Sequence, residues 1–392
     1  MLAGAALFFA ALTSARAESD AAAGKLDLIP ENATLWRESD LWDKDITLRV
    51  GVGYKDNVLL GPPKGTVFLT SGLRADAPRG SPFFTSGLDL TILRLPLDGL
   101  AFNFTVIGDD VRYWGNAGVD HEDVFVGSAE VKKYLGNGWQ TGLEFRESYV
   151  DQIQYVILQT GPESTKVNGH LLQALPAIRR NLGTNWWAQV AAEVTREYFA
   201  MPLDDSWQFG PRLGLGRTYG FDSSAVLNYG VFHQTHDSQP ATDSAGNGRR
   251  GTRRAFWKQE VELRNDQVWD ARKHWRSITR LGFQYEEDNG AGFFNYYGYS
   301  ASEELRYQGK TWQLRFAGKV GYQDYFKQRI VPDILASPTL YRMPFELSAR
   351  AELRVYKTLK LYAQYEYEQV LSNLASDEYE ANIVTGGINW AF

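Results

Sequence analysis

From Asp45 to the last residue, apolar and polar side chains alternate with a period of two, in segment after segment. Ile46, Leu48, Val50, Val52 and Tyr54 alternate with Thr47, Arg49, Gly51, Gly53 and Lys55. Trp312, Leu314, Phe316, Val320 and Tyr322 do the same against Gln313, Arg315, Ala317, Lys319 and Gln323. Phe345, Leu347, Ala349, Ala351 and Leu353 do so against Glu346, Ser348, Arg350, Glu352 and Arg354. Neighbouring side chains on a strand point to opposite faces, so each run reads as a β-strand with one apolar and one polar face. The spacing predicts sixteen strands, at 46–55, 84–95, 99–113, 122–135, 138–150, 168–180, 185–198, 205–217, 222–235, 253–265, 274–287, 293–307, 311–325, 341–356, 359–370 and 379–392. Most are far longer than the about 5–6 residues usual in globular sheets.

The connections alternate in length. Leu135-Gly136-Asn137-Gly138, Gln308-Gly309-Lys310-Thr311 and Tyr356-Lys357-Thr358 are short, and the Asn-Gly pair is a hairpin signal in its own right. Longer segments fall between them, at 56–83, 151–167, 237–252 and 326–340. An even strand count with short turns on one side and long loops on the other is the pattern of an all-β fold, a transmembrane antiparallel up-and-down β-barrel. Within 56–83, Phe68-Leu69-Thr70-Ser71-Gly72-Leu73 nearly repeats Phe83-Phe84-Thr85-Ser86-Gly87-Leu88, which predicts an earlier start of the second strand or a short extra hairpin.

Composition agrees once the two phases are separated. In lipid every backbone polar group must be paired within the protein, so the sheet must close, with an apolar outward face and aromatic ends. That assigns the 12 Trp, 21 Tyr and 21 Phe to the outside. Tyr297, Tyr299, Tyr307, Trp312, Tyr322, Tyr365, Tyr367 and Trp390 all fall on the apolar phase near strand ends. The opposite phase carries Arg49, Glu144, Arg146, Glu193, Arg212, Lys258, Glu260, Glu262, Arg280, Arg315, Lys319, Arg350, Glu352, Arg354 and Glu366, read as pore-lining. Signs mix along and across strands, so ion-pair ladders over the wall are expected. Sixteen strands enclose a lumen too wide for side chains to fill, and the usual content is water.

No stretch beyond residue 17 has 18 or more consecutive apolar residues, so no transmembrane helix is expected. Residues 1–17, MLAGAALFFAALTSARA, pair an apolar run with Ala15-Arg16-Ala17, the form of a cleaved signal peptide. Three regions follow: signal peptide 1–17, a periplasmic N-terminal tail 18–44 and a barrel 45–392, with both barrel ends periplasmic. Counting back from the end, Phe392, Trp390, Ile388, Gly386 and Val384 share one face. This last strand resembles the C-terminal signature of bacterial outer-membrane barrels. The resemblance implies that Ile388, Trp390 and Phe392 form a membrane-insertion signal read by the barrel-assembly machinery. The first strand, Val50-Gly51-Val52-Gly53-Tyr54-Lys55-Asp56-Asn57-Val58, resembles the Gly-Tyr-Asp-Asp-Asn opening of a family of bacterial β-barrel porins, with Lys55 in place of the first Asp. Some members of that family sit beside exopolysaccharide-export genes.

Other chemistry is sparse. The chain has no cysteine, which excludes disulfides, thiolate metal sites and cysteine nucleophiles. A formal charge of −6, not gathered in blocks, gives no sign of nucleic-acid binding. His121, His170, His233, His236 and His274 show no metal spacing on one strand face, and no metal or cofactor is expected. His236-Asp237-Ser238 resembles the His-x-Ser of outer-membrane phospholipases and lipid A deacylases, which implies a serine nucleophile with a histidine base. The phase set by Leu227, Tyr229 and Val231 turns His236 and Ser238 inward, away from lipid, and Lys258 follows Trp257 where that family has Asn. The sequence therefore favours a porin-like passive channel over a polymer exporter, a lipid hydrolase or a closed structural barrel. Expected partners are outer-membrane lipid and lipopolysaccharide, the assembly machinery and further copies of the chain. Arg249, Arg250, Arg253 and Arg254 are candidates for lipopolysaccharide phosphates or anionic solutes.

Overall fold

The computed structural model describes residues 42–61, 66–68, 74–76, 80–95, 99–115, 118–158, 161–200, 203–330, 336–374 and 377–392. The signal peptide, nearly all of the 18–44 tail and much of 56–83 lie outside the described residues. The chain runs through β1 (Trp42–Lys55), β2 (Thr66–Phe68), β3 (Arg74–Asp76), β4 (Ser81–Arg94), β5 (Leu100–Tyr113) and β6 (His121–Gly136). It continues through β7 (Trp139–Leu158), β8 (Gly161–Asn181), β9 (Trp186–Phe199), β10 (Ser206–Tyr219), β11 (Ser223–His236) and β12 (Ala255–Val268). The last six are β13 (Trp275–Asp288), β14 (Tyr296–Gln308), β15 (Trp312–Arg329), β16 (Thr339–Arg354), β17 (Leu359–Ser372) and β18 (Tyr379–Ala391). All sixteen expected strands are present. β2 and β3 pair with each other as the extra hairpin, one on each side of residues 69–73.

Each long strand pairs antiparallel with its neighbour in sequence, and β1 closes the ring by pairing with both β4 and β18. Closure leaves no edge among the sixteen long strands. β1 begins and β18 ends at one rim, with Leu48 opposite Trp390, and the short turns lie at this terminal rim. At the predicted Asn-Gly turn, Gly136, Asn137 and Gly138 all have positive φ, which matches the right-handed twist of the strands it joins. Longer connections lie at the far rim.

The period-two phases separate as the sequence requires. On one phase Val52, Phe145, Val190 and Val384 are each more than half exposed, around a belt that would be an aggregation liability in water. Aromatic contacts mark both ends of the belt: Trp275 against Tyr307 at 4.8 Å near the terminal rim, and Tyr285 against Tyr297 at 5.2 Å near the far rim. A carboxylate interrupts it. Glu303 on β14 is exposed and accepts a 2.6 Å hydrogen bond from Thr279 Oγ1 on β13.

Two expectations are corrected. The segment 151–167 is not a loop, because β7 and β8 continue as a paired ribbon to Leu158 and Gly161. Above the belt neither face must be apolar, so Gln152, Gln154 and the Gly161-Pro162 step hid strands that backbone pairing still extends. Nor do the aromatics all belong outside. Phe256, Phe293, Phe294, Tyr296 and Tyr325 form a buried inward cluster at the far rim, to which the 289–295 connection contributes Phe293 and Phe294.

Candidate functional site

The inward phase is a wall of ion pairs, and strand register decides who meets whom. Arg49 on β1 bonds Asp89 on β4 and reaches Asp109 on β5 at 2.9 Å. Arg212 on β10 donates to Glu193 on β9 at 2.9 Å and lies 3.6 Å from Glu260 on β12. Arg315 on β15 donates to Glu304 on β14 at 2.9 Å, and Lys319 donates to Glu346 on β16 at 3.2 Å. Nearer the terminal rim, Arg350 donates to Glu352 at 2.9 Å and to Gln364 at 2.8 Å, and Gln364 donates to Glu366 at 2.6 Å. Glu144 and Arg146, two apart on β7, pair along the strand, with Nη2 to Oε2 at 2.8 Å.

A cavity of about 240 Å³ lies against β6 to β12. Of the fifteen residues expected in the lumen, Glu144, Arg146, Glu193, Arg212 and Lys258 line this cavity together. Arg49, Glu260, Glu262, Arg280, Arg315, Lys319, Arg350, Glu352 and Glu366 are half-buried elsewhere on the wall, and Arg354 is exposed at the terminal rim opposite Lys360. Ile388, Trp390 and Phe392 are exposed on the outer face, with the Trp390 and Phe392 rings 4.6 Å apart. Sequence reasoning missed Asp109, Glu122, Asp266 and Arg276 as wall partners. Glu122 lies 3.7 Å from Lys55, and Arg276 donates to Asp266 at 2.6 Å. Their phase was readable, but each stands close to a strand end, where the alternation fades.

The hydrolase constellation is not assembled. Ser238 Oγ donates to Asp204 at 2.6 Å, and among the described residues no hydrogen bond joins it to His236. The His236 ring packs edge-on against Phe256 at 5.6 Å. The pairing of β6 with β7 gathers His121, Asp123 and Asp151 within 4.8 Å of one another on the outer face, a cluster that spacing along one strand did not reveal. Lys166 Nζ already sits 3.0 Å from Asp151 and 3.4 Å from His121.

Asp204 also fixes the 237–254 connection, accepting from the Ser238 N–H at 2.9 Å and the Gln239 N–H at 2.8 Å. Burial alone would raise its carboxyl. The Ser238 hydroxyl and these two N–H groups outweigh that and hold it below its ordinary value of 3.8. A lowered carboxyl stabilises the fold above its unfolded value and loses that contribution as pH falls through the folded one. The connection is therefore expected to loosen below about pH 4. Asp204→Ala is expected to loosen it at neutral pH, with the Ser238 and Gln239 amides exchanging at least about tenfold faster. Hydrogen exchange reads both effects, and unchanged rates would refute them.

No family model matches the chain, and no curated protein matches it in sequence. Solved structures align with it over most of its length. A chain described as a bacterial polysaccharide outer membrane secretin gives a TM-score of 0.41 at 11% identity, covering 88% of this chain and 98% of that one. OccAB1 of Acinetobacter baumannii gives 0.44 at 10% identity, covering 93% and 100%. An anion-selective porin from Comamonas acidovorans gives 0.45 at 13% identity, covering 90% and 99%.

Proposed function

We propose that the chain is an integral outer-membrane barrel of a two-membrane bacterium, with both ends in the periplasm, acting as a porin-like passive channel for small polar solutes. The observation that carries this is the inversion of the closed barrel: an exposed apolar belt outside and a ladder of charge pairs inside. Lipid suits the first surface and water the second. Short turns at the terminal rim fit the periplasmic side and the long far-rim connections the cell surface. Residues 1–17 are the export signal, and Ile388, Trp390 and Phe392 present the outer face of β18 to the assembly machinery.

In this reading solutes diffuse through the lumen, exchanging part of their hydration for contact with guanidinium, ammonium and carboxylate groups. Because Arg49, Arg212, Arg315 and Lys319 each face a carboxylate, neither sign of ion is strongly favoured. Purified protein in planar bilayers is expected to show steady single-channel conductance with weak ion selectivity. Absence of conductance, in the full chain and in a chain lacking residues 18–41, would overturn the proposal.

A further inference from the structure

The 237–254 connection presents three arginines that the wall does not use. Arg249, Arg250 and Arg253 are exposed at the far rim, and among the described residues none makes an ion pair. The nearby Asp237 carboxylate is bonded by Arg196 at 2.6 Å and feels the charge of Arg253 only from beyond ion-pair distance. The fourth arginine of the sequence cluster behaves differently. Arg254 is 2% exposed, donates to Gln239 Oε1 at 2.7 Å and stacks on Phe294 at 4.3 Å.

Arg254 anchors the connection that carries the other three. Thr242 and Gly248 bridge, the Ala245 and Asn247 N–H groups both donate to Asp243 at 2.9 Å, and the Thr252 hydroxyl donates to the Arg249 carbonyl at 2.6 Å. The Ala291 N–H donates to the Thr242 carbonyl at 2.9 Å, tying the connection to its neighbour. The Asn289 side chain donates to the Arg253 carbonyl at 2.9 Å. Three like charges within five residues repel, and a backbone held this way cannot carry them to distant carboxylates. Such a group is arranged for an anion from outside the chain.

Its position selects the anion. Directly below on the outer face, the rings of Phe209, His233 and Trp257 run in contact at 5.5 and 4.8 Å, and Arg196 lies over Tyr198 and Trp207. Aromatic side chains collect at the headgroup level, and the connection that carries the three arginines leaves β11 at His236, just beyond the His233 ring on the far-rim side. We propose that Arg249, Arg250 and Arg253 form a docking surface for the phosphate groups of the lipid in the leaflet around the far rim, that is, lipid A phosphates. The proposal rests on the membrane reading above, with the far rim outermost.

The test uses the full chain in phosphatidylcholine vesicles, with and without purified lipid A, reading lipid A affinity and the thermal unfolding midpoint. Wild type is expected to bind lipid A and be stabilised by it, more weakly as salt rises. The variant carrying Arg249→Ser, Arg250→Ser and Arg253→Ser is expected to bind roughly one hundred-fold more weakly. Dephosphorylated lipid A should bind wild type as weakly as lipid A binds the variant. A second variant, Arg180→Ser with Arg217→Ser, removes exposed arginines at the terminal rim and should keep wild-type affinity. Equal binding by wild type and the triple variant would overturn the proposal. So would equal weakening by the terminal-rim variant, or stabilisation by inorganic phosphate alone. Failure of the protein to enter vesicles at all would instead overturn the membrane reading, and bilayer conductance of the triple variant, expected to match wild type, keeps the channel question separate.

Discussion

Valine at position 387 is expected to leave no closed barrel. Gly387 on β18 faces Gly51 on β1 and Tyr362 on β17. A Cβ there would stand 2.1 Å from the Val50 carbonyl oxygen, 2.7 Å from Gly51 Cα and 2.8 Å from the Tyr362 ring. Two of those three contacts are backbone, which cannot turn aside as a side-chain tip can. The paired glycines leave room for the Tyr362 ring over the seam, where Arg350 covers it at 4.3 Å. This seam joins the two ends of the chain, so it pairs last in sequence separation and has no second route to closure. The loss should exceed about 4 kcal/mol, the range that marks clashes of this kind. Gly386→Ala is the control, since its Cβ would meet only the Tyr362 carbonyl at 3.7 Å. Heat-modifiable migration of the folded barrel on a gel checks both. A Gly387→Val protein that folds like wild type refutes the account of the seam.

That seam also shows where sequence reading stops. Alternation assigned Arg49, Gly51 and Lys55 to the inward phase of β1, because one strand's own pattern encodes its two faces. It could not name Asp89, Asp109 or Glu122 as partners, because these depend on the stagger between strands, which the hydrogen-bonded register sets. The same limit hid the gathering of His121, Asp123 and Asp151. The far rim was least legible. There the strands rise beyond the belt, the demand for an apolar outer face ends, and segments such as 151–167 look like loop. There also the connections fold over the barrel end and create a small core, so Phe256, Tyr296 and Tyr325 are inward while Tyr297 and Tyr299 are outward. The arginine cluster was visible in sequence, but its division was not: Arg254 faces Phe294 and Gln239, and only burial distinguishes it from Arg253.

Arg212→Gln should change both the stability of the wall and what passes it. Arg212 is the cation that Glu193 and Glu260 share, at 2.9 and 3.6 Å, and its guanidinium lies 5.2 Å over the Phe232 ring. Glu193 is 3% exposed and also accepts from Gln208 at 3.1 Å, so it cannot rotate freely toward water. Removing the cation leaves Glu193, which lines the 240 Å³ cavity, and Glu260 beyond it with one neutral donor between them. Taking one partner from such a pair costs about 3 kcal/mol, the low end for buried pairs because the cavity admits water. The same change adds one unit of negative charge to the cavity wall. A low-dielectric wall focuses that field, and cation over anion permeability should rise roughly tenfold. Reversal potentials under a salt gradient read the selectivity, and denaturant midpoints read the stability. Adding Glu193→Gln to Arg212→Gln returns the net charge to that of wild type, so selectivity should return with it and most of the stability should follow. If Arg212→Gln conducts with an unchanged reversal potential, ions do not travel past Arg212 and the lumen wall described here is not the permeation path.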